Sequence, residues 1–228
     1  MLSLLIPGTL KKTVLLPALV LILTAAGHAQ QVQWKIEEHN IDPLLLQEEM
    51  ESIINSGFIP SGLTSSENSM YVLYLKGVGV SAQEWGLKWY LSSFKLSEGI
   101  KTELQQGFVP ADVSYENGLF FVLYIKTSWT GSTWTFVSAP MNVQALSTSL
   151  EPYIKRSFIP AGICVIENKY WVLMVQRDER PVKSFLLSTL PAKKDTLLAG
   201  INATMQKGYL PCGIHFQNGN LSILFVKY

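Results

Sequence analysis

Charge is scarce in this chain: 15% of its 228 residues are Asp, Glu, Lys or Arg, and 18 basic against 17 acidic side chains leave a formal net charge of +1. A nucleic-acid binder gathers Lys and Arg on one face to neutralise phosphates, so no nucleic-acid partner is expected. Histidine and cysteine are rarer still, at three and two copies. There is no Cys-x-x-Cys, no H-E-x-x-H, no glycine-rich phosphate loop and no G-x-S-x-G elbow. No metal and no cofactor is therefore expected. Low-complexity sequence is lacking too, and with 48% hydrophobic residues the chain has the apolar mass of a folded protein.

The one long apolar run lies near the start, where Lys11 and Lys12 precede Val14 to Leu23 and small residues lead to Gly27-His28-Ala29. This order fits a secretory signal peptide at 1–29 cleaved after Ala29. Pro17 interrupts the run, which falls short of the roughly 20 apolar residues a spanning helix needs. The expectation is a secreted or periplasmic protein with no integral membrane segment after cleavage. Removing 1–29 leaves 199 residues carrying 16 basic and 17 acidic side chains.

What the sequence does have is an internal repeat. GFIPSGLTSSENSMYVLYLK, GFVPADVSYENGLFFVLYIK, SFIPAGICVIENKYWVLMVQ and GYLPCGIHFQNGNLSILFVK place their prolines at 60, 110, 160 and 211, a period of 50, 50 and 51 residues. The register extends upstream. At fourteen, ten and six residues before each proline stand Leu46/Met50/Ile54, Leu96/Ile100/Leu104, Leu146/Leu150/Ile154 and Leu197/Ile201/Met205. Spacing of i, i+4, i+8 lines one side of a helix. Asp42, Ser92 and Asn142 are suited to cap these helices; Lys193 breaks the series, so Asp195 is expected to cap the fourth. Gly57, Gly107 and Gly208 supply the left-handed residue that ends a helix, and Ser157 predicts a different ending for the third.

After each proline, Leu63, Val113, Ile163 and Ile214 open a strand that turns at Glu67-Asn68, Asn117-Gly118, Glu167-Asn168 and Asn218-Gly219, two of them the Asn-Gly hairpin signal. The returning strand, for example Phe120 to Ile125 or Tyr170 to Val175, is apolar on both faces and so belongs in a sheet centre. A third strand carrying Trp34, Trp85/Trp89, Trp134 or Phe185 precedes each helix. The fold class is therefore α+β: four tandem β-α-β-β units of about 50 residues, at about 30–80, 81–130, 131–180 and 181–228, antiparallel-rich, with the helices on one side. The chain stops at Tyr228 directly after the last returning strand, while the strand at Val32 to Glu37 has no predecessor. Pairing of these two would close the array into a single domain at 30–228 and remove two exposed edges.

The order Trp strand, amphipathic helix, Gly-aromatic-x-Pro, short strand and apolar strand resembles the bacterial tandem repeat domain. Gly57-Phe58-Ile59-Pro60, Gly107-Phe108-Val109-Pro110, Ser157-Phe158-Ile159-Pro160 and Gly208-Tyr209-Leu210-Pro211 carry the resemblance, with Trp34 and Trp134. The family occurs in secreted proteins, sometimes beside serine-hydrolase domains. The resemblance implies repeat architecture.

The fourth residue after each proline is Thr64, Ser114, Cys164 or His215, a row that alternates with the apolar one and is expected to face the other way. If equivalent positions converge, Cys164 and His215 become a thiol–imidazole pair with Glu116 nearby, the only catalytic constellation the sequence offers. The bland alternative is a varied row on a sheet face. His39 and His215 with the two cysteines lack the spacing of a zinc site. Cys164 and Cys212 face opposite sides of an ideal strand, which favours buried thiols over a bridge. Trp129, in the polar loop Thr127 to Thr133, is a candidate contact for a protein or glycan partner. The function expected is an exported, non-catalytic binding or envelope-associated module. The alternatives are a secreted enzyme using the Cys/His site, or an inhibitor or accessory subunit of a secreted enzyme.

Overall fold

The computed structural model describes residues 32–40, 42–66, 69–128, 130–177 and 181–228. The leader read at 1–29, the turn at Glu67-Asn68 and Trp129 lie outside them. In chain order the elements are β1 (Gln33–Asn40), α1 (Pro43–Asn55), β2 (Ile59–Ser66), β3 (Ser69–Lys76), β4 (Glu84–Tyr90), α2 (Ser93–Gln105), β5 (Val109–Glu116), β6 (Leu119–Lys126), β7 (Gly131–Pro140), α3 (Val143–Ile154), β8 (Phe158–Ile166), β9 (Lys169–Arg177), β10 (Ser184–Pro191), α4 (Lys194–Met205), β11 (Leu210–Gln217) and β12 (Asn220–Lys227). The β-α-β-β unit thus occurs four times.

The strands form four three-stranded antiparallel sheets, ordered β1-β3-β2, β4-β6-β5, β7-β9-β8 and β10-β12-β11. The strands that are apolar on both faces, β3, β6, β9 and β12, are the central ones, as their sequences require. Each proline lies near the start of an edge strand, where its missing N–H costs no ladder bond. Directly after it the register shifts in all four units, between Pro60/Gly62, Pro110/Asp112, Pro160/Gly162 and Pro211/Gly213. This bulge adds one unpaired residue and bends the strand.

Asp42, Ser92 and Asn142 cap their helices, accepting hydrogen bonds from first-turn amides. Asp195 does not cap. It sits inside the first turn of α4, and Lys193 occupies the cap position with no side-chain bond; a carboxylate there is stabilised by the helix dipole instead. Ser157 also departs from expectation, since at φ 63° it adopts the left-handed conformation of Gly57, Gly107 and Gly208. Tertiary structure imposes the same helix ending on a residue that pays for it in backbone strain. The middle residues of the four helical stripes, Met50, Ile100, Leu150 and Ile201, are all completely buried.

The four sheets stand around a common axis with β2, β5, β8 and β11 innermost, neighbouring one another in cyclic order. Each core is shared between adjacent units. Leu96 and Ile100 of α2 pack with Val113 and Val122 of their own sheet and with Leu173, Trp134 and Phe136 of the next unit. Leu146 and Leu150 of α3 likewise meet Phe185 and Leu187. Leu197 and Ile201 of α4 meet Trp34 and Ile36, which returns the array to its first unit. The N-terminal strand therefore closes the ring by covering the last helix. It does not pair with β12 as expected; its ladder is to β3, with Trp34 opposite Leu75.

Candidate functional site

The four innermost strands turn unpaired edges toward the axis, and buried amides there need acceptors. One side chain supplies them. Asp112, two residues after Pro110, is completely buried. Its Oδ1 accepts from the amides of Val113 at 2.7 Å and Ile163 at 3.0 Å. Its Oδ2 accepts from Leu63 at 2.6 Å and Ile214 at 3.0 Å. These four donors are the same position in all four units, so one carboxylate binds every unit at once. The equivalent residues elsewhere are Gly62, Gly162 and Gly213. A Cβ on Gly162 would lie 2.2 Å from Oδ1 of Asp112, and one on Gly213 would lie 3.0 Å from the Cα of Gly162. Burial pushes the Asp112 carboxyl well up from the ordinary carboxylate range, while the four amide bonds pull it the other way. Both lone pairs of each oxygen are used, which is the arrangement of an ionised group; a proton would displace an amide.

The row two residues further on joins neighbouring units. Thr64 Oγ1 accepts the amide of Phe216 from the fourth unit at 3.0 Å, and Ser114 Oγ accepts that of Ser65 from the first at 3.3 Å. Thr64 and Ser114 therefore turn toward the unit before them. Cys164 packs among Val113, Val122 and Ala161 at the junction of units two and three. His215 belongs to the fourth unit, and neither ring nitrogen has a hydrogen-bond partner. No thiol–imidazole bond joins the two. Burial, and then the charge of Asp112, push the Cys164 thiol up, while burial pulls His215 down to about 4. Both shifts favour the neutral, unreactive forms. Glu116 is half-buried at the end of β5. Cys164 and Cys212 form no disulfide; Cys212 is the bulge residue after Pro211.

Unit one holds a polar chain that sequence reasoning did not find. His39 Nδ1 lies 2.8 Å from Glu49 Oε2, and its Nε2 lies 2.9 Å from the Tyr74 hydroxyl. In unit two the equivalent contact is Tyr90 with Tyr124, at 3.0 Å. Tyr74 is wholly buried, so the chain is a tie between β1, α1 and β3. Among the described residues no group of three or more His, Cys, Asp or Glu could hold a metal ion. No described helix is long and apolar enough to cross a membrane.

An accessible concavity of about 680 Å³ opens between units two and three. Its walls are the start of α2, β7, and the hairpin ends of β5–β6 and β8–β9. Tyr115, Phe120, Trp134, Phe136 and Trp171 supply aromatic surface, Ser92, Ser93, Ser97 and Thr135 supply hydroxyls, and Glu167 is the one charged residue lining it. Its rings meet at angles: Trp134 and Phe136 at 85°, Phe136 and Trp171 at 71°. Only at this junction are the rows of Trp134, Phe136 and Trp171 all aromatic. The row of Phe136 holds Ile36, Leu87 and Leu187 elsewhere, and the row of Trp171 holds Tyr71, Phe121 and Ser222. Leu91, at the mouth, is 80% exposed.

No protein-family model matches the chain, and no curated protein is similar to it. Fold and groove define a closed ring of four α+β units; the likeness to the bacterial tandem repeat domain rests on the repeat pattern alone.

Proposed function

We propose that the protein is an exported, non-catalytic binding module that recognises its ligand in the aromatic groove between units two and three. The observation that carries this reading is the concentration of aromatic side chains at one of four equivalent junctions, open to solvent and edged with hydroxyls. Aromatic surface beside a few polar groups is the ordinary make-up of a recognition site. The burial of Cys164 and His215 in neutral form supports the absence of nucleophilic chemistry. The signal-peptide pattern at 1–29 supports export, for which the check is an N-terminus at Gln30 on protein recovered outside the cytoplasm.

The groove is tested by titrating panels of neutral oligosaccharides and of peptides while following tryptophan fluorescence. Saturable binding is expected, and Leu91→Asp should weaken it at least tenfold without altering the fold, because Leu91 makes little contact with the protein. Binding that is indifferent to Leu91→Asp and Phe120→Ala would place recognition elsewhere.

A further inference from the structure

The amides of Leu63, Val113, Ile163 and Ile214 converge on one point from four different units, and only one of those units supplies the acceptor. Convergent backbone N–H groups make an anion-binding concavity. All four donors are main-chain amides of the four inner strands, which Gly62, Gly162 and Gly213 allow to approach; the acceptor alone is a side chain. The host is thus chemically separate from the guest.

We propose that the axis of the ring is a carboxylate-binding site in its own right, occupied by Asp112 as an internal ligand, and able to take a free small carboxylate when that side chain is removed. The class of ligand follows from the geometry. Each oxygen of Asp112 accepts two N–H groups, so the guest needs two oxygens with all lone pairs available, and no hydrogen to present to the amides. A neutral amide of the same shape fails, because its NH2 would face two donors. Formate is the smallest carboxylate, and it fits the space vacated by the side chain in Asp112→Gly, a variant that gives all four units glycine at this row. Asp112 does not have a positive φ, so a glycine there takes an ordinary backbone conformation.

The experiment is thermal and denaturant unfolding of Asp112→Gly in formate, formamide and chloride, each at matched concentration and the anions at matched ionic strength. Formate is expected to raise the midpoint of Asp112→Gly, and above its dissociation constant each tenfold increase in formate should raise the folding equilibrium constant about tenfold. Formamide and chloride should do so far less, and the wild type should not respond, its site being full. Asp112→Ala keeps a methyl in the space formate needs and is expected to respond weakly. If Asp112→Gly is unfolded in plain buffer, the same comparison is read as refolding yield by circular dichroism. A variant that gains no more from formate than from formamide or chloride, in unfolding and in refolding, overturns the proposal. So does a wild type that gains as much as the variant.

Discussion

Trp34 donates from its indole Nε1 to Oδ1 of Asn202 at 2.8 Å, a bond between the first strand and the last helix that spans 168 positions of sequence. At this seam the ring is closed by side-chain packing, by this bond and by the Phe216 amide donating to Thr64 Oγ1, with no strand ladder across it among the described residues. Trp34→Phe keeps most of the ring surface and removes the bond. It should cost about 1 kcal/mol in chemical denaturation, in the usual range for one hydrogen bond. Trp34→Ala should cost several times as much, since it also uncovers Leu197 and Ile201. Equal losses in the two variants would show that the bond, and not the packing, holds the seam.

Leu150 and Ile201 occupy the same stripe position in α3 and α4 and are both completely buried. Leu150→Ala and Ile201→Ala should each lose about 2 to 5 kcal/mol, measured by equilibrium unfolding. Losses under about 1 kcal/mol in both, below that range, would mean that the two helices do not play equivalent parts.

Ser157 holds a left-handed conformation at φ 63° where the other three units have glycine. Ser157→Gly relieves a backbone cost of about 1 to 2 kcal/mol and adds freedom to the unfolded chain, for a net gain of about 0.5 to 1 kcal/mol. A melting temperature that falls in this variant would refute the account of the third helix ending.

His215 is neutral in the fold, its pKa pulled down by burial from 6.5 to about 4. The unfolded chain binds a proton near pH 6.5 and the folded chain does not. The neutral imidazole's contribution is therefore complete above pH 6.5 and is lost as the pH falls toward 4, by roughly 3 kcal/mol in total. His215→Gln has no such group. Plotted against pH, the stability difference between wild type and variant should change by roughly that amount between pH 7.5 and 4 in the direction that penalises the wild type. A flat difference would place the ring in water.

The fold was legible because four copies of one pattern constrain each other. Helical stripes, caps, Asn-Gly turns and central strands such as Phe120 to Ile125 could each be checked against three equivalents. The errors came where one unit departs from the rest. Asp195 looks like a cap in isolation, and Ser157 looks like a different helix ending; in both, packing set by the other units prevails over local preference. Pairing of the two terminal strands was a reasonable way to protect edges, but the sheets keep three strands each and protect their inner edges by converging. The site was less legible for a related reason. The chemically suggestive row is that of Cys164 and His215, yet no hydrogen bond joins the thiol to the imidazole. The informative row was two residues earlier, where aligning the repeats sets Asp112 against three glycines. A single acid among glycines in an apolar strand is visible in the sequence, but its meaning appears only when four strands share an axis. The groove was foreshadowed by Trp134 and Trp171, each explained well enough as core until the open junction between them and Tyr115 is seen.

The lone carboxylate on the axis also sets a rule for copying this molecule. A consensus protein built from four identical units would lose the single internal carboxylate whichever unit were chosen. Four copies of the second would crowd four acids into a space where one Cβ on Gly162 already meets Asp112 at 2.2 Å, and close like charges in a dry interior strongly disfavour joint ionisation. Four copies of the first, third or fourth would leave four inward amides with no acceptor of the chain's own, so that such a ring would depend on a small carboxylate from solution. One acceptor shared by four equivalent donors is an arrangement that only an asymmetric set of units can supply from within the chain, and here the second unit supplies it.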